Sequence, residues 1–357
     1  MSGATEVPVS GFGRTNHLLR RFTDPIAIPS LVFVLILIVY GASSTSSFLN
    51  GFNISNVLIQ VTPLLLIAVG QSFAVGSGGL DLSVGSATSL VAVVFATLFV
   101  PLGAPLALAI AMFLAVLVGL VNGALVAYGL EPFLVTLATL AVVQGIAFLI
   151  QPVPGGEVPE WYTNVAQLWG NIPVALPIVL IVVVLAGLLL RRTSTGANIL
   201  AVGGDAQVAR LVGIRVDRTL VKAYVLSAVF AGLAGLFLVA RTRTGDPTIG
   251  AVFTLDSLAA VVVGGTLLTG GRITMAGTVL GALALGLLPN VMNLSGVSTF
   301  YQTTGKGVIL IVAILLPAVL ARAVKRRRRR QFGQSLEEGL SRRGNDRAGI
   351  ESAGAGA

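Results

Sequence analysis

Asp81 is the acidic residue closest to the interior of an apolar segment of this chain, and Ser83 follows two residues later. An ionisable group at membrane depth is a functional candidate because burying its charge without a partner is costly. Arg272 holds nearly the equivalent place in a second glycine-rich segment, so the two side chains could form an ion pair. Alternatively, Asp81 or Ser83 caps the helix that follows. The sequence leaves both roles open.

Catalytic and metal-binding constellations are missing from the sequence. It contains no cysteine, which excludes disulfides and thiolate chemistry, and its only histidine, His17, lies in a polar N-terminal stretch. No Gly-x-x-x-x-Gly-Lys-Ser/Thr, His-Glu-x-x-His or Gly-x-Ser-x-Gly motif occurs. We therefore predict no catalytic residue, no metal ligand and no cofactor in this chain, and no hydrolysis of ATP by it.

Composition places the chain in a membrane. It is 55% hydrophobic and only 10% charged, whereas about a quarter of the residues of a soluble domain are charged. Several apolar runs reach about 20 residues, the length that crosses the hydrocarbon core of a bilayer. The chain is predicted to be a polytopic membrane protein.

The net charge is +9, and lysine and arginine concentrate at Arg14, Arg20 and Arg21, in Arg191–Lys222 and in Arg322–Arg330. Residues 43–53, 101–105 and 152–172 contain no lysine or arginine. By the positive-inside rule this asymmetry places both termini and residues 192–218 in the cytoplasm. We interpret Lys325–Arg330 as a determinant of orientation and a contact for anionic lipid, not for nucleic acid.

Ten apolar segments are predicted to span the membrane as helices, because irregular backbone cannot satisfy its hydrogen bonds in lipid. The first is interpreted as an uncleaved helix, not a signal peptide. Leu255–Leu268 is the shortest and could be a half-helix. The segments are Ile26–Ala42, Val57–Val75, Ser86–Pro101, Pro105–Tyr128, Pro132–Leu149, Val174–Leu190, Leu220–Ala240, Leu255–Leu268, Ala276–Val291 and Gly307–Ala321.

Two internal similarities indicate related halves. Gly78–Ser86 aligns without gaps on Gly270–Thr278, and Asn122–Phe133 aligns more weakly on Asn290–Tyr301. Glycine-rich breaks at matching positions are typical of discontinuous transporter helices that surround a pathway; close packing of helices, or hydrogen bonds between them, is the alternative. The predicted hinge and pathway residues are Gly78, Gly79, Asp81, Ser83, Gly85, Asn122, Gly264, Gly265, Gly270, Gly271, Gly277, Asn290 and Asn293.

A short helix is predicted within the polar segment 192–218. Asp205 has the residue type of an N-cap and Gly213 that of a helix terminator, which gives a helix over Ala206–Val212. Its spacing places Val208, Leu211 and Val212 on one face. Such a helix could dock into a groove of another subunit; the alternative is a plain surface loop.

These motifs resemble those of ribose-type (monosaccharide) ATP-binding cassette (ABC) importer permeases, within the branched-chain amino acid/ribose permease superfamily. The similarity is collinear over roughly residues 50–320, with one departure at Glu131, where the family usually has proline. It is carried by Gly203–Ile214, Gly79–Ser86, Pro132–Leu137, Asp246–Gly250, Leu255–Thr266 and Gly277–Thr278.

The resemblance implies a permease dimer, two cytoplasmic ATP-binding subunits that hold ATP and Mg, and an extracytoplasmic sugar-binding protein. The residues implied in coupling to the ATPase are Gly203, Gly204, Asp205, Ala206, Ala209, Arg210, Leu211 and Gly213. On the opposite side Trp161, Arg241, Arg243 and Asp246 are candidates for docking the binding protein, although Trp161 could simply mark the lipid headgroups.

The sequence thus predicts an all-α polytopic protein of about ten transmembrane helices in two related halves with glycine-rich broken helices. The expected domains are a cytoplasmic tail 1–25, a permease domain 26–324 with the coupling loop 192–218, and a basic and then disordered tail 325–357. The expected function is import of a pentose or hexose across a bacterial cell membrane. Branched-chain amino acids, nucleosides or a furanosyl signal molecule are alternative cargoes, and an ion-coupled secondary transporter is a further alternative.

Overall fold

The computed structural model describes residues 28–170, 172–298, 300–302, 304–305, 307–308 and 311. Nearly all of them are helical, as predicted. The two predicted tails and most of the tenth predicted span lie outside the described residues. The helices are α1 Ile28–Ser44, α2 Gly51–Gly76, α3 Val84–Leu102, α4 Ala104–Ala127, α5 Pro132–Ile150, α6 Glu160–Thr163, α7 Ala175–Arg192, α8 Ser194–Gly204, α9 Ala206–Leu211, α10 Val216–Thr242, α11 Ala251–Val263 and α12 Met275–Leu294.

Seven of these helices, in the described part of the chain, are long and apolar enough to cross a membrane, and α1 and α11 are shorter apolar helices. These nine coincide with the first nine predicted spans. Each of the seven contains a long apolar stretch because a helix in lipid has no aqueous face to present there. The predicted all-helical, polytopic fold is confirmed.

The helices differ sharply in how much of their surface the bundle covers. The apolar stretches of α2, α3 and α10 are 83%, 78% and 78% buried, whereas those of α4, α5 and α7 are 28%, 22% and 22% buried. Lipid is itself an apolar solvent, so the outer helices can leave large side chains uncovered. Polar groups on the three central helices, in contrast, depend on partners within the protein, and among the described residues Gln71 of α2 and Ser227 of α10 lack one.

Small residues bring the helix backbones together. A Cβ atom at Gly119 or Gly123 of α4 would crowd the backbone of α10 at Tyr224–Val225 and at Val221. Gly277 and Gly281 of α12 pack in the same way against Gly264 and Ala260. Both glycine pairs at four-residue spacing are therefore close-packing sites, which is how such pairs act in membrane helices.

Helix α11 begins inside the bundle and is a half-helix. The irregular chain before it runs back along α3, with Gly245 beside Ala92 and Ala96, and Gly250 beside Gly85. The Gly250 amide donates to Ser89 Oγ at 2.9 Å. The helix has only 13 residues, as the half-helix alternative for Leu255–Leu268 expects, and it lies about one turn earlier than predicted, because the backbone turns at Gly264 and Gly265.

Candidate coupling helix and glycine junction

The surface helix α9 is built as its sequence predicts. Asp205 Oδ1 accepts hydrogen bonds from the amides of Gln207 and Val208 at 2.8 and 3.0 Å. Gly213, with φ +84°, ends the helix in a Schellman arrangement, in which the Ile214 amide donates to the Ala209 carbonyl at 3.0 Å. The predicted N-cap and terminator are confirmed, and the helix is one residue shorter than predicted.

The segment before α9 is a second helix, α8, which sequence reasoning treated as loop. Thr193 caps it through a hydrogen bond from the Gly196 amide to Thr193 Oγ1 at 3.3 Å, and Ile199 and Val202 form its buried face. A threonine before an apolar pair three residues apart is the signal that could have revealed it. Gly203 accordingly lies in the last turn of a helix and not in a loop.

Helix α9 packs against the rest of the protein through Ala209, which is buried against Val202 and Val216. Its apolar face points away from the protein, with Val208, Leu211 and Val212 exposed at 54%, 86% and 70%. Residues 206–211 are therefore a capped helix and not irregular loop. An apolar face left uncovered beside charged residues is typical of a surface that binds a partner.

Arg210 makes an ion pair with Asp217 at 3.3 Å, with both side chains mostly exposed at 62% and 68%. Such an exposed pair contributes at most about 1 kcal/mol. It orients Arg210 toward the start of α10 and partly neutralises the positive charge of α9.

Five glycines from three separate parts of the chain meet beside α8, and we call this contact the glycine junction. Its members are Gly76, Gly78, Gly203, Gly270 and Gly271. The Gly271 amide donates to the Gly76 carbonyl at 3.0 Å, and a Cβ atom at Gly203 would overlap that same carbonyl oxygen. The two breaks that the internal similarity pairs are therefore in contact with each other and with the coupling segment.

Left-handed backbone explains why glycine is needed in the junction. Gly78, Gly270 and Gly271 have φ angles of +90°, +81° and +76°, which residues with a Cβ rarely adopt. A Cβ at Gly270 would also come within 2.7 Å of the Gly78 Cα and the Gly203 carbonyl oxygen. No larger residue fits these contacts without a shift of the backbone.

Three predicted pathway residues form one hydrogen-bonded chain next to the junction. Asp81 is fully buried, and its Oδ1 accepts from the Ser83 amide at 3.0 Å and from Ser83 Oγ at 2.6 Å. Ser83 Oγ in turn accepts from Asn122 Nδ2 at 2.8 Å. The carboxylate thereby closes the turn that leads into α3, and it ties that turn to α4.

The ion pair between Asp81 and Arg272 does not form; within the described ranges Arg210–Asp217 is the one ion pair. Ser83 occupies the N-cap position of α3, but its side chain makes no capping bond. Asp81 Oδ2, Asn122 Oδ1 and Ser227 Oγ are buried without a hydrogen-bond partner in the part of the chain that is described. Ser227 lies beside the carboxylate without completing a bond.

Two further residues, which sequence reasoning missed, hold the same turn. The Leu80 carbonyl accepts from Tyr224 Oη of α10 at 3.3 Å and from Thr136 Oγ1 of α5 at 3.2 Å. Thr136 shares its single hydroxyl hydrogen with the Pro132 carbonyl, at 2.9 Å. Thr136 lies in a segment already noted for its resemblance, but nothing local marks either hydroxyl as a contact to residue 80. The turn at residues 77–83 is thus tied to α4, α5 and α10.

The other predicted pathway residues lie elsewhere. Gly85 packs against Gly250 and Thr254, and Gly264 against Gly277, with Gly265 next to it at φ +84°. Asn290 pairs with Asn53, which sequence reasoning missed, through reciprocal amide bonds of 2.8 and 3.2 Å. Asn293 is exposed near the same end of α12. The structure does not bring these two asparagines to the Asp81 turn.

The end of the bundle opposite α9 carries the predicted docking residues. Trp161 is 58% exposed, and its ring centroid lies 5.9 Å from that of Phe99. The neighbouring Tyr162 donates to the Leu236 carbonyl at 3.0 Å, and burial raises the pKa of its hydroxyl, so that it stays a donor. Its contacts fix the short helix α6 against α10.

Arg241 lies in the last turn of α10, and Arg243 and Asp246 follow in the loop after it; all three are at least partly exposed. Asp246 Oδ1 accepts from the Thr248 amide at 2.7 Å and so shapes this loop. Gly155 and Gly245 exchange backbone hydrogen bonds of 2.9 and 2.8 Å. The loop that precedes Trp161 and the loop that contains Arg243 and Asp246 are therefore joined by backbone hydrogen bonds.

Comparison with known families decides the class of protein. Residues 53–317 match the family described as the permease component of branched-chain amino acid transport systems. The chain belongs to this permease family. The matched range contains α9, the whole glycine junction and the Asp81 turn. The predicted family is thereby confirmed, and the chain is a multi-pass membrane protein.

Its relatives include several permeases named for sugars. A ribose import permease of Bacillus subtilis (strain 168) is 38% identical over 293 residues, covering 80% of this chain and 90% of the relative. An L-arabinose permease of Azospirillum brasilense is 36% identical, with 75% and 80% covered. A D-allose permease of Escherichia coli (strain K12) is 31% identical, with 82% and 91% covered. No solved structure matches the chain significantly.

Proposed function

We propose that this chain is the membrane-spanning permease subunit of an ABC importer that translocates a monosaccharide, a pentose or a hexose. The relatives named for ribose, arabinose and allose support this cargo. The buried polar groups near the junction are mainly hydroxyls and amides, which bind a hydroxyl-rich cargo through hydrogen bonds. The carboxylate of Asp81 is engaged locally by Ser83, which gives no support to an ion-coupled mechanism.

The observation that carries the proposal is the uncovered apolar face of α9 beside the glycine junction. A cytoplasmic ATP-binding subunit, which holds ATP and Mg, would cover Val208, Leu211 and Val212. Because α8 and α9 adjoin at Asp205 and Gly203 packs on the Gly76 carbonyl, a push on α9 would reach both glycine-rich breaks directly. This chain would supply the pathway and the coupling, while its partner hydrolyses ATP.

In this arrangement the end that carries α9 faces the cytoplasm of a bacterial cell, together with both termini. The opposite surface, with Trp161, Arg241, Arg243 and Asp246, would receive the extracytoplasmic sugar-binding protein. The exposed arginines there would pair with acidic residues of that partner. Lipid and a second permease subunit would cover the outer faces of α4, α5 and α7, and Lys325–Arg330 would contact anionic lipid.

The test is uptake into vesicles that contain this chain, an ATP-binding subunit encoded beside it and its binding protein. A panel of labelled pentoses and hexoses is offered with and without ATP, for the wild type and for Leu211→Glu, with Gln207→Glu as the control for added charge. We expect ATP-dependent uptake that Leu211→Glu abolishes and Gln207→Glu retains. Uptake that follows a proton or sodium gradient and ignores ATP would contradict the proposal.

A further inference from the structure

A cleft of about 250 Å³ opens between α9 and the turn that joins α4 to α5. Ala206 and Val202 form one side of it, Glu131 and Pro132 the other, and Gly78 and Gly79 of the Asp81 turn are part of its lining. A single turn of helix with its side chains occupies roughly 400–600 Å³, from a diameter of 10–12 Å and a pitch of 5.4 Å. The cleft therefore has room for at least one long side chain.

Glu131 is the charged residue of this cleft, and among the described residues its carboxylate has no hydrogen bond or ion pair. It occupies the N-cap position of α5, but its side chain makes no capping bond. Three acids are exposed near this end of the described chain: Glu131, Asp205 and Asp217. Asp205 caps α9 and Asp217 pairs with Arg210, so of the three only Glu131 has neither a hydrogen bond nor an ion pair.

Glu131 is an acidic residue at an end of the bundle where several exposed residues are basic. Arg210, Arg215, Arg218 and Lys222 follow one another along the chain from α9 into α10, and all are exposed. None of them comes within ion-pair distance of Glu131. A carboxylate that lines this cleft and that the described residues leave unpaired is complementary to a cation that arrives from outside.

We infer that this cleft receives an arginine or lysine side chain of the ATP-binding subunit, which pairs with Glu131 while α9 docks beside it. The inference rests on the proposed function, since it gives the ATPase a second contact. A side chain seated here would touch α9 at Ala206 and the Asp81 turn at Gly78 and Gly79. The partner would then hold both the coupling helix and the hinge turn.

The test measures binding of the ATP-binding subunit to the full chain in lipid nanodiscs. Glu131→Arg should weaken binding roughly tenfold or more, because it places like charges together, and Glu131→Gln should weaken it less and reduce its dependence on salt. Glu157→Arg, an exposed acid at the opposite end, is the matched control. An acidic substitution of one arginine or lysine of the ATPase should restore binding to Glu131→Arg.

The outcomes separate this inference from the proposed function. If the wild type neither binds the ATPase nor imports with ATP, the proposed function fails. If the wild type does both and Glu131→Arg binds with unchanged affinity and salt dependence, only the cleft inference is overturned. If truncation before Lys325 removes the defect of Glu131→Arg, the cleft holds this chain's own basic tail, which also overturns it.

Discussion

The backbone amide of Gly271 donates a hydrogen bond to the carbonyl of Gly76 at 3.0 Å, and this bond joins the two glycine-rich breaks of the chain. Gly76 ends α2, and Gly271 lies between α11 and α12. Gly203 of α8 packs on the same carbonyl. Because these backbone groups are in direct contact, a displacement of either glycine-rich break would displace the other break and the coupling segment.

Gly203→Ala tests this contact. The new Cβ would overlap the Gly76 carbonyl oxygen and come within 2.6 Å of the Gly271 nitrogen, so that α8 must shift or the bond between the breaks must stretch. Overpacking of this kind costs about 1–3 kcal/mol. We expect a lower free energy of unfolding in detergent and at least a tenfold loss of ATP-driven uptake.

Gly204→Ala is the matched control for the Gly203 substitution. It makes the same chemical change one residue later, but its Cβ would approach only the Gly271 Cα, at 3.9 Å, an ordinary contact distance. Most of the uptake should be retained. Equal losses in the two variants would show that the junction does not depend on the close approach at Gly203.

Asp205→Ala removes both bonds that cap α9. Loss of an N-cap costs about 1 kcal/mol, which is large for a helix of only six residues. We expect weaker binding of the ATP-binding subunit with little change in overall stability, because α9 contributes little to the core. Asp205→Asn caps equally well and should bind like the wild type; if Asn fails as Ala does, the charge and not the cap is what matters.

The helices that could be predicted are those marked by signals local in the sequence, such as an apolar run or a capping residue. The apolar runs gave nine helices, and Asp205 with Gly213 gave α9, because capping is decided within a few residues. Helix α8 was missed because its apolar face is only Ile199 and Val202. The bonds of Tyr224 and Thr136 to Leu80 join residues far apart in sequence, and only the packing of α5 and α10 around the turn creates them.

The internal similarity between the two halves also predicted matching positions better than it predicted contacts. Internal similarity pointed to Gly78 and Gly270 as equivalent positions, which the structure finds in contact. The same reasoning grouped Asn122 with Asn290, yet Asn122 binds Ser83 and Asn290 binds Asn53. Similarity between halves identifies matching positions, but the partner of each side chain depends on the helix that packs against it.

Asn290→Ala and Asn53→Ala distinguish a structural pair from a pathway residue. The two amides exchange hydrogen bonds, so the two substitutions should lower the free energy of unfolding by similar amounts. The expected loss is about 0.6 kcal/mol, with an upper bound of about 1.7 kcal/mol. If Asn290 also lines the pathway, its variant should slow uptake more than Asn53→Ala at equal amounts of folded protein. Equal rates would assign Asn290 to structure alone.

Tyr224→Phe and Thr136→Val each remove one of the two donors to the Leu80 carbonyl. Either change alone leaves that carbonyl one partner, so each should cost only about 0.5–1.5 kcal/mol. The double variant leaves a carbonyl with no described partner, which adds a desolvation penalty of about 1–3 kcal/mol. The two effects should therefore be more than additive, both in the free energy of unfolding and in the loss of ATP-driven uptake. Simple additivity in a double-mutant cycle would show that the two hydroxyls do not share the turn, and the pair would then have no joint role in holding the Asp81 turn in place.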